Sequence, residues 1–328
     1  MRNDNLKIGR YLANIFNKKV GVITYSGTLA IELALLDCNL PPKTGVMVSS
    51  EVCSSIINTI VKLGLTPIII SPKKDLIITN EDIIQTINKS NINCGCILLV
   101  HQYGLANNIS KIKKDYPNIK IIEDIAQAWD IRFKNTCIGE YSDYIVTSFG
   151  KTKPLSYGIA GAIITDRDKI LSKTDFCDNE SRESNDILYS YAYPLCCDID
   201  IKKIVKKANE IVLIQRTVAK YYSDLFENNS YIHFIKTENE NTWHRFPIWI
   251  KDKKYYNYFI NLLYICEIEY QLPHAVKNET LPIIKKHSIV YNYSEMQGNL
   301  ILLRTRIFDI EKFSEKLFKL KELLNTKI

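Results

Sequence analysis

The strongest constraint on this chain is a series of short, nearly unbroken aliphatic runs, set apart by stretches of helical spacing. Residues 20–24, 46–48, 67–70, 97–100, 119–122, 144–147 and 162–165 read as strands. Most are Ile/Val runs rather than alternating patterns, and such a strand must be buried on both faces. Between them, residues 6–17, 28–36, 52–63, 81–87 and 109–114 carry the apolar spacing of helices. Strands alternating with helices give an α/β fold with a mainly parallel central sheet. Ligands on such sheets bind beyond the carboxyl ends of the strands. Residues that directly follow the runs are therefore the first candidates for chemistry.

After about residue 170 the pattern changes. Residues 206–225 form a long amphipathic stretch, 246–250 and 299–303 read as strands, and 254–266 and 310–324 as helices. This predicts a large domain over 1–200 and a smaller α+β C-terminal domain over 201–328.

Composition narrows the class. The 328 residues are 46% hydrophobic and 24% charged, as in ordinary globular proteins. No apolar run approaches the roughly 20 residues of a membrane span. The first residues carry no apolar signal core, which predicts a cytoplasmic protein. The nine cysteines are scattered. Cys94-Gly-Cys96 and Cys196-Cys197 lack a second pair at metal-ligand spacing, so reduced thiols and no metal site are expected. The net charge of +7 comes from dispersed lysines, not from a basic stripe with stacking aromatics. Neither nucleic acid nor membrane is an expected partner.

Three short elements carry the chemistry. Ser26-Gly27-Thr28 opens a helix directly after the first run, where free N–H groups and the helix dipole favour a phosphate. A plain helix cap is the ordinary alternative. Asp124 ends the run at 119–124, and strand alternation sends Glu123 to the other face. Lys151 and Lys153 follow the run that ends near Ser148, and either could be a surface lysine. A Schiff-base lysine, a carboxylate for a pyridine nitrogen and a phosphate turn, in this order on an α/β background, point to pyridoxal phosphate. No Walker motif and no G-x-G-x-x-G follows the first strand.

Taken together, these elements resemble the DegT/DnrJ/StrS family of sugar aminotransferases, of aminotransferase fold type I. The similarity is carried by Ser26-Gly27-Thr28, Val100-His101-Gln-Tyr103-Gly104, Asp124-Ile-Ala-Gln127, Ser148-Phe-Gly-Lys-Thr-Lys153 and Gly158-Ile-Ala-Gly161. Gln215-Arg216-Thr-Val-Ala219-Lys-Tyr221 is similar to the family's long interdomain helix. The resemblance implies that Lys153, not Lys151, forms the Schiff base and shuttles protons. It implies that Asp124 pairs with the pyridine nitrogen and Gln127 contacts the phenolic oxygen. Ser26, Gly27, Thr28 and Ser148 would hold the phosphate. Cys53 falls near the position where an aromatic side chain often stacks on the ring, and a thiol gives less contact there. Ile159 replaces the family's usual acidic residue. The N-terminus is shorter than usual, and residues 189–194 do not clearly match a segment that commonly reaches the neighbouring subunit.

The implied function is a cytoplasmic, homodimeric, pyridoxal-phosphate-dependent aminotransferase. Glutamate or glutamine would donate the amino group to a keto group of a nucleotide-linked sugar or related cyclitol. Two alternatives stand beside it, with a nucleotide-sugar oxidoreductase, disfavoured by the missing dinucleotide glycine motif, as a weaker third. One is a sugar dehydratase on the same scaffold; such relatives carry histidine in place of the lysine, and Lys153 is retained here. The other is a non-catalytic cofactor- or sugar-binding member. Arg182, Arg245, Arg304, Arg306 and His274 are candidates for holding an anionic substrate or the donor carboxylate, with surface or packing roles as the alternative.

Overall fold

The computed structural model describes residues 2–72, 76–133, 136–170, 199–273, 282, 289–291 and 299–325. In chain order its first half contains α1 (Arg2–Ile15), β1 (Val20–Thr24), α2 (Gly27–Asp37), β2 (Gly45–Ser49), α3 (Ser54–Lys62), β3 (Thr66–Ile70), α4 (Asn80–Lys89), β4 (Cys94–Val100), α5 (Ser110–Asp115), β5 (Lys120–Asp124), β6 (Arg132–Phe133), β7 (Thr136–Cys137), β8 (Tyr144–Ser148) and β9 (Gly161–Thr165). Next come α6 (Ile201–Phe226), β10 (Ile232–Phe234), β11 (Arg245–Ile250), α7 (Lys253–Ile265), β12 (Tyr270–Gln271), β13 (Ile289–Tyr291), β14 (Leu300–Arg304) and α8 (Ile310–Asn325).

Eight strands form the large sheet, in the order β1-β9-β8-β5-β4-β2-β3-β13. Its centre is parallel, and β9 runs antiparallel to both β1 and β8. The aliphatic runs are explained by the two faces. Val46, Leu98, Ile122 and Val146 pack under α2 and α3, while Ile97, Leu99, Ile121 and Ile145 face the other layer. Ile121 and Ile122 are both fully buried, on opposite faces. Each such side chain contributes roughly 1.5–3 kcal/mol.

The second sheet is antiparallel, ordered β10-β11-β14-β12. Its core joins α6, α7 and α8 through Tyr222, Phe226, Phe246, Phe259 and Phe313. The architecture is the expected α/β large sheet with a smaller α+β unit. Among the short strands that the sequence pattern does not announce (β6, β7, β10, β12 and β13), β13 lies between β12 and β14 in the chain yet pairs in parallel with β3, extending the large sheet.

Two glycines set the seat of α1. A Cβ on Gly21 of β1 would collide with the carbonyl of Gly9, and the reverse also holds. At this point helix and strand therefore meet backbone to backbone. Gly21→Ala should cost about 1–3 kcal/mol, because neither rigid backbone can yield to an added methyl. An unchanged urea midpoint would refute this close approach.

The segment 239–245 is tied to both sheets. Thr242 Oγ1 accepts from the Trp129 N–H at 2.7 Å and donates to the Trp129 carbonyl at 2.7 Å. The Thr242 N–H donates to the Gly104 carbonyl at 3.0 Å. Arg216 of α6 reaches the carbonyls of Asn241 and Glu240 at 3.0 and 3.1 Å, and the Asp130 carboxylate at 3.2 Å. Thr305, just after β14, donates to the carbonyl of Trp243.

Candidate active site

The site lies where β1, β5 and β8 end. Ser26 is extended and caps α2, its Oγ accepting from the Leu29 N–H at 3.1 Å. Other N–H groups of the first turn have no partner inside the helix, and the dipole makes that end positive. Gly27 faces Ser148 closely: a Cβ on Gly27 would lie 3.0 Å from the Ser148 Cβ. The turn of Ser26, Gly27 and Thr28 and the hydroxyl-bearing end of β8 thus share one small cradle. Gly161 closes it from behind, since a Cβ there would sit 2.5 Å from the Gly27 nitrogen.

Ser148 Oγ accepts from the Gly150 N–H at 3.3 Å, which starts the lysine segment. The Lys153 N–H donates to the Gly150 carbonyl at 2.9 Å, and the N–H groups of Tyr157 and Gly158 converge on the Phe149 carbonyl at 2.9 and 2.8 Å. This tight loop holds Lys153 half-buried and leaves Lys151 exposed. Burial lowers the Lys153 pKa below the ordinary lysine value, and Arg245 adds to this, while Asp124 and Cys53 oppose it.

Asp124 is 6% exposed at the end of β5. Its Oδ1 accepts from the Ala126 N–H at 2.8 Å, and Oδ2 accepts from none of the described residues. Burial raises its pKa, against the Ala126 N–H and the charge of Lys153. A buried carboxylate with one unengaged oxygen is suited to a cation, and a protonated ring nitrogen is one. Glu123 engages His101 Nε2 at 2.9 Å and the Gly139 N–H at 3.0 Å instead. His101 Nδ1 accepts from the Asn107 N–H at 3.2 Å, so Nε2 carries the proton donated to Glu123.

Gln127 turns its Oε1 to the Tyr103 N–H at 3.0 Å and its Nε2 toward Gln102 Oε1 at 3.4 Å. It thereby supports Tyr103, which is held at a φ of 58°. Cys53 is exposed at the start of α3, its Sγ accepting from Ser55 Oγ at 3.2 Å. Ile159 is 63% exposed. Arg245 lies close enough to act on Lys153, and Arg304 and Arg306 are grouped with it beside Lys151. Arg182, His274 and residues 189–194 lie outside the described residues.

The structure adds His244, which the sequence reading passed over. It is 5% exposed, and its Nδ1 has no partner among the described residues. Burial holds its pKa well down, helped by Arg245, Lys153 and Arg306. The available signal was the polar pair His244-Arg245 opening an otherwise apolar strand.

A helix-end cradle for phosphate, a buried carboxylate and a lysine of lowered pKa at one sheet edge fit pyridoxal phosphate in charge and in order. Fold and site together define the class of pyridoxal-phosphate-dependent enzymes of aminotransferase fold type I. The chain belongs to the DegT/DnrJ/EryC1/StrS aminotransferase family, whose model matches residues 3–274. It is similar to the GDP-perosamine synthase of Vibrio cholerae, 25% identical over 71% of this chain and 65% of that protein. It is also similar to the UDP-4-amino-4,6-dideoxy-N-acetyl-beta-L-altrosamine transaminase of Campylobacter jejuni, 24% identical over 72% of this chain and 66% of that one. The chain thus spans just under two thirds of the length of these relatives. Among solved structures, a DegT DnrJ EryC1 StrS aminotransferase from Brucella abortus superposes with a TM-score of 0.78 at 16% identity, covering 97% of this chain and 89% of that one. An E. coli GDP-4-keto-6-deoxy-D-mannose-3-dehydratase with bound hydrated PLP gives 0.79 at 19% identity, covering 97% and 90%. One fold therefore serves both aminotransfer and dehydration.

Proposed function

We propose that this protein is an aminotransferase that moves an amino group from glutamate or glutamine to a keto group of a nucleotide-linked sugar or related cyclitol. The observation that carries this reading is the placement of Lys153 within electrostatic reach of Asp124, beside the phosphate cradle. Bound there, pyridoxal phosphate would supply an aldehyde for amine exchange and a ring that withdraws electrons.

The chain's own residues supply the rest. Lowered by burial, Lys153 Nζ spends more time as the free amine, which can attack a carbonyl and accept or return a proton. Asp124 would hold a proton, and so a positive charge, at the ring nitrogen. Ser26, Gly27, Thr28 and Ser148 would orient its phosphate, Gln127 would contact its phenolic oxygen, and Cys53 would lie near the ring. The reading includes a homodimer in the cytoplasm and a division at residue 200. No helix among the described residues is long and apolar enough to cross a membrane.

The test is the donor half of the reaction. Protein incubated with the cofactor should turn yellow, and L-glutamate or L-glutamine should bleach it while releasing a keto acid. A protein that stays colourless overturns the reading, and a yellow protein that no amino donor bleaches refutes aminotransfer. Asp124→Asn should stay yellow yet bleach about 10²-fold more slowly or worse, since a fixed charge beside developing charge is worth roughly that much. Stopped-flow absorbance measures it, and equal rates would remove Asp124 from its role.

A further inference from the structure

We infer that the cavity formed by Arg245, Arg304, Arg306 and Lys151 is a binding site for a phosphate-class anion carried by the amino-acceptor substrate. The inference rests on the aminotransferase reading for the identity of the substrate, and on the cavity itself for the chemistry. The cavity measures about 570 Å³ and is walled by these four cations with Glu269 as the lone carboxylate among its lining residues. Its floor includes Lys151 and Thr152, the two residues that precede Lys153.

The four cations are not equivalent. Arg304 is already engaged: its Nη1 donates to the Glu269 carboxylate and its Nε to the Arg306 carbonyl at 3.1 Å. Among the described residues, Arg245 donates only to the neighbouring His244 carbonyl at 2.8 Å, and Arg306 only to the Lys151 carbonyl at 3.3 Å. Neither forms an ion pair with a carboxylate among the described residues. Strand register makes the crowding worse, because Arg245 of β11 stands directly opposite Arg304 of β14. Like charges in that position destabilise a sheet. Burial pushes the Arg245 and Arg306 guanidinium pKa values down, and Arg304 pushes both further. An arriving anion would relieve this repulsion.

The number of free donors points to phosphate. A single carboxylate is satisfied by one guanidinium fork, whereas two unpaired forks and an ammonium suit a group with two charges and three or more acceptor oxygens. Arg245 also acts on the Lys153 pKa, so the anion and the reacting amine sit within one short electrostatic range.

The test is titration calorimetry on the full chain saturated with pyridoxal phosphate, using inorganic phosphate, pyrophosphate and UDP as probes. At least one should bind. Arg306→Ala and Arg245→Ala should each weaken it about tenfold or more, as expected for a lost charge-assisted contact. Arg306→Lys should recover part of the loss, which a folding defect would not allow. UDP binding tighter than pyrophosphate assigns the anion to a nucleotide diphosphate. Equal binding assigns it to a simple phosphate ester, and either result supports the site. Affinities unchanged in both alanine variants overturn it, as does direct competition by L-glutamate, which would make this the donor's carboxylate site. The visible spectrum of the same sample separates the two readings. A colourless protein with arginine-dependent binding defeats the aminotransferase and leaves the anion site. A yellow protein without it does the reverse.

Discussion

Lys153→Ala is expected to abolish the visible band that the wild-type protein forms with pyridoxal phosphate, and to slow donor bleaching of any bound cofactor by roughly 10³-fold or more, since both the attacking amine and the proton carrier are lost. Lys151→Ala should keep the band, because Lys151 is exposed and lines the neighbouring cavity. The pair decides which lysine is used. The wild type adds a pH signature. A free lysine amine gains its proton near 10.5, and burial lowers this value for Lys153. Capture of the cofactor should therefore rise with pH as Nζ loses its proton and level off below the ordinary lysine value. A Lys153→Ala protein with an intact band, or a wild type whose capture climbs without levelling until 10.5, would contradict the placement of this amine.

Gly161→Ala should be nearly as damaging, although the residue has no side chain to offer a ligand. Its Cβ would lie 2.5 Å from the Gly27 nitrogen, 2.5 Å from the Ser26 carbonyl carbon and 2.6 Å from its oxygen. All three are backbone atoms, so no side chain can swing away. Either β9 moves or the start of α2 does. We expect about 1–3 kcal/mol of lost stability from overpacking and roughly tenfold or greater loss of cofactor affinity as the cradle opens. Thermal unfolding and a cofactor titration measure the two effects. Unaltered values for both would mean that the turn is not held from behind as described.

Much of this was legible in the sequence because the informative residues sit next to informative strands. Ile119 to Ile122 is aliphatic apart from Lys120, with Ile121 and Ile122 on opposite faces, and Glu123 and Asp124 follow at once, so the strand and the carboxylate announce each other. Ser26 and Ser148 likewise follow directly on β1 and close β8. The elements that stayed hidden are short or are defined by distant partners. Ile289–Tyr291 is three residues long, and only β3, more than two hundred positions earlier in the chain, makes it a strand of the large sheet. The hairpin of β6 and β7 has two residues on each side. The meeting of His244 and Arg245 with Lys153 follows from the register of β11 on β14 and from the hold of Gly104 on Thr242. No local pattern encodes such a register. Arg245, Arg304 and Arg306 could be named as candidates from sequence, but their convergence could not.

The ties on segment 239–245 have a consequence for which ketones the proposed aminotransferase could use. Thr242, Arg216 and Asn241 fasten this segment to the loops at Gly104, Ala106 and Trp129, and those loops adjoin Asp124 and Gln127. The span from the arginine pair to Lys153 is therefore fixed by the folded chain and not by the ligand. If the anion is seated at one end, this span acts as a ruler, sorting acceptors by how far the carbonyl stands from the phosphate. A misplacement of about 1 Å at a reacting centre can lower a rate roughly 10²-fold. A sugar with its keto group one ring carbon away would bind by its phosphate, fall short of the amine, and behave as an inhibitor.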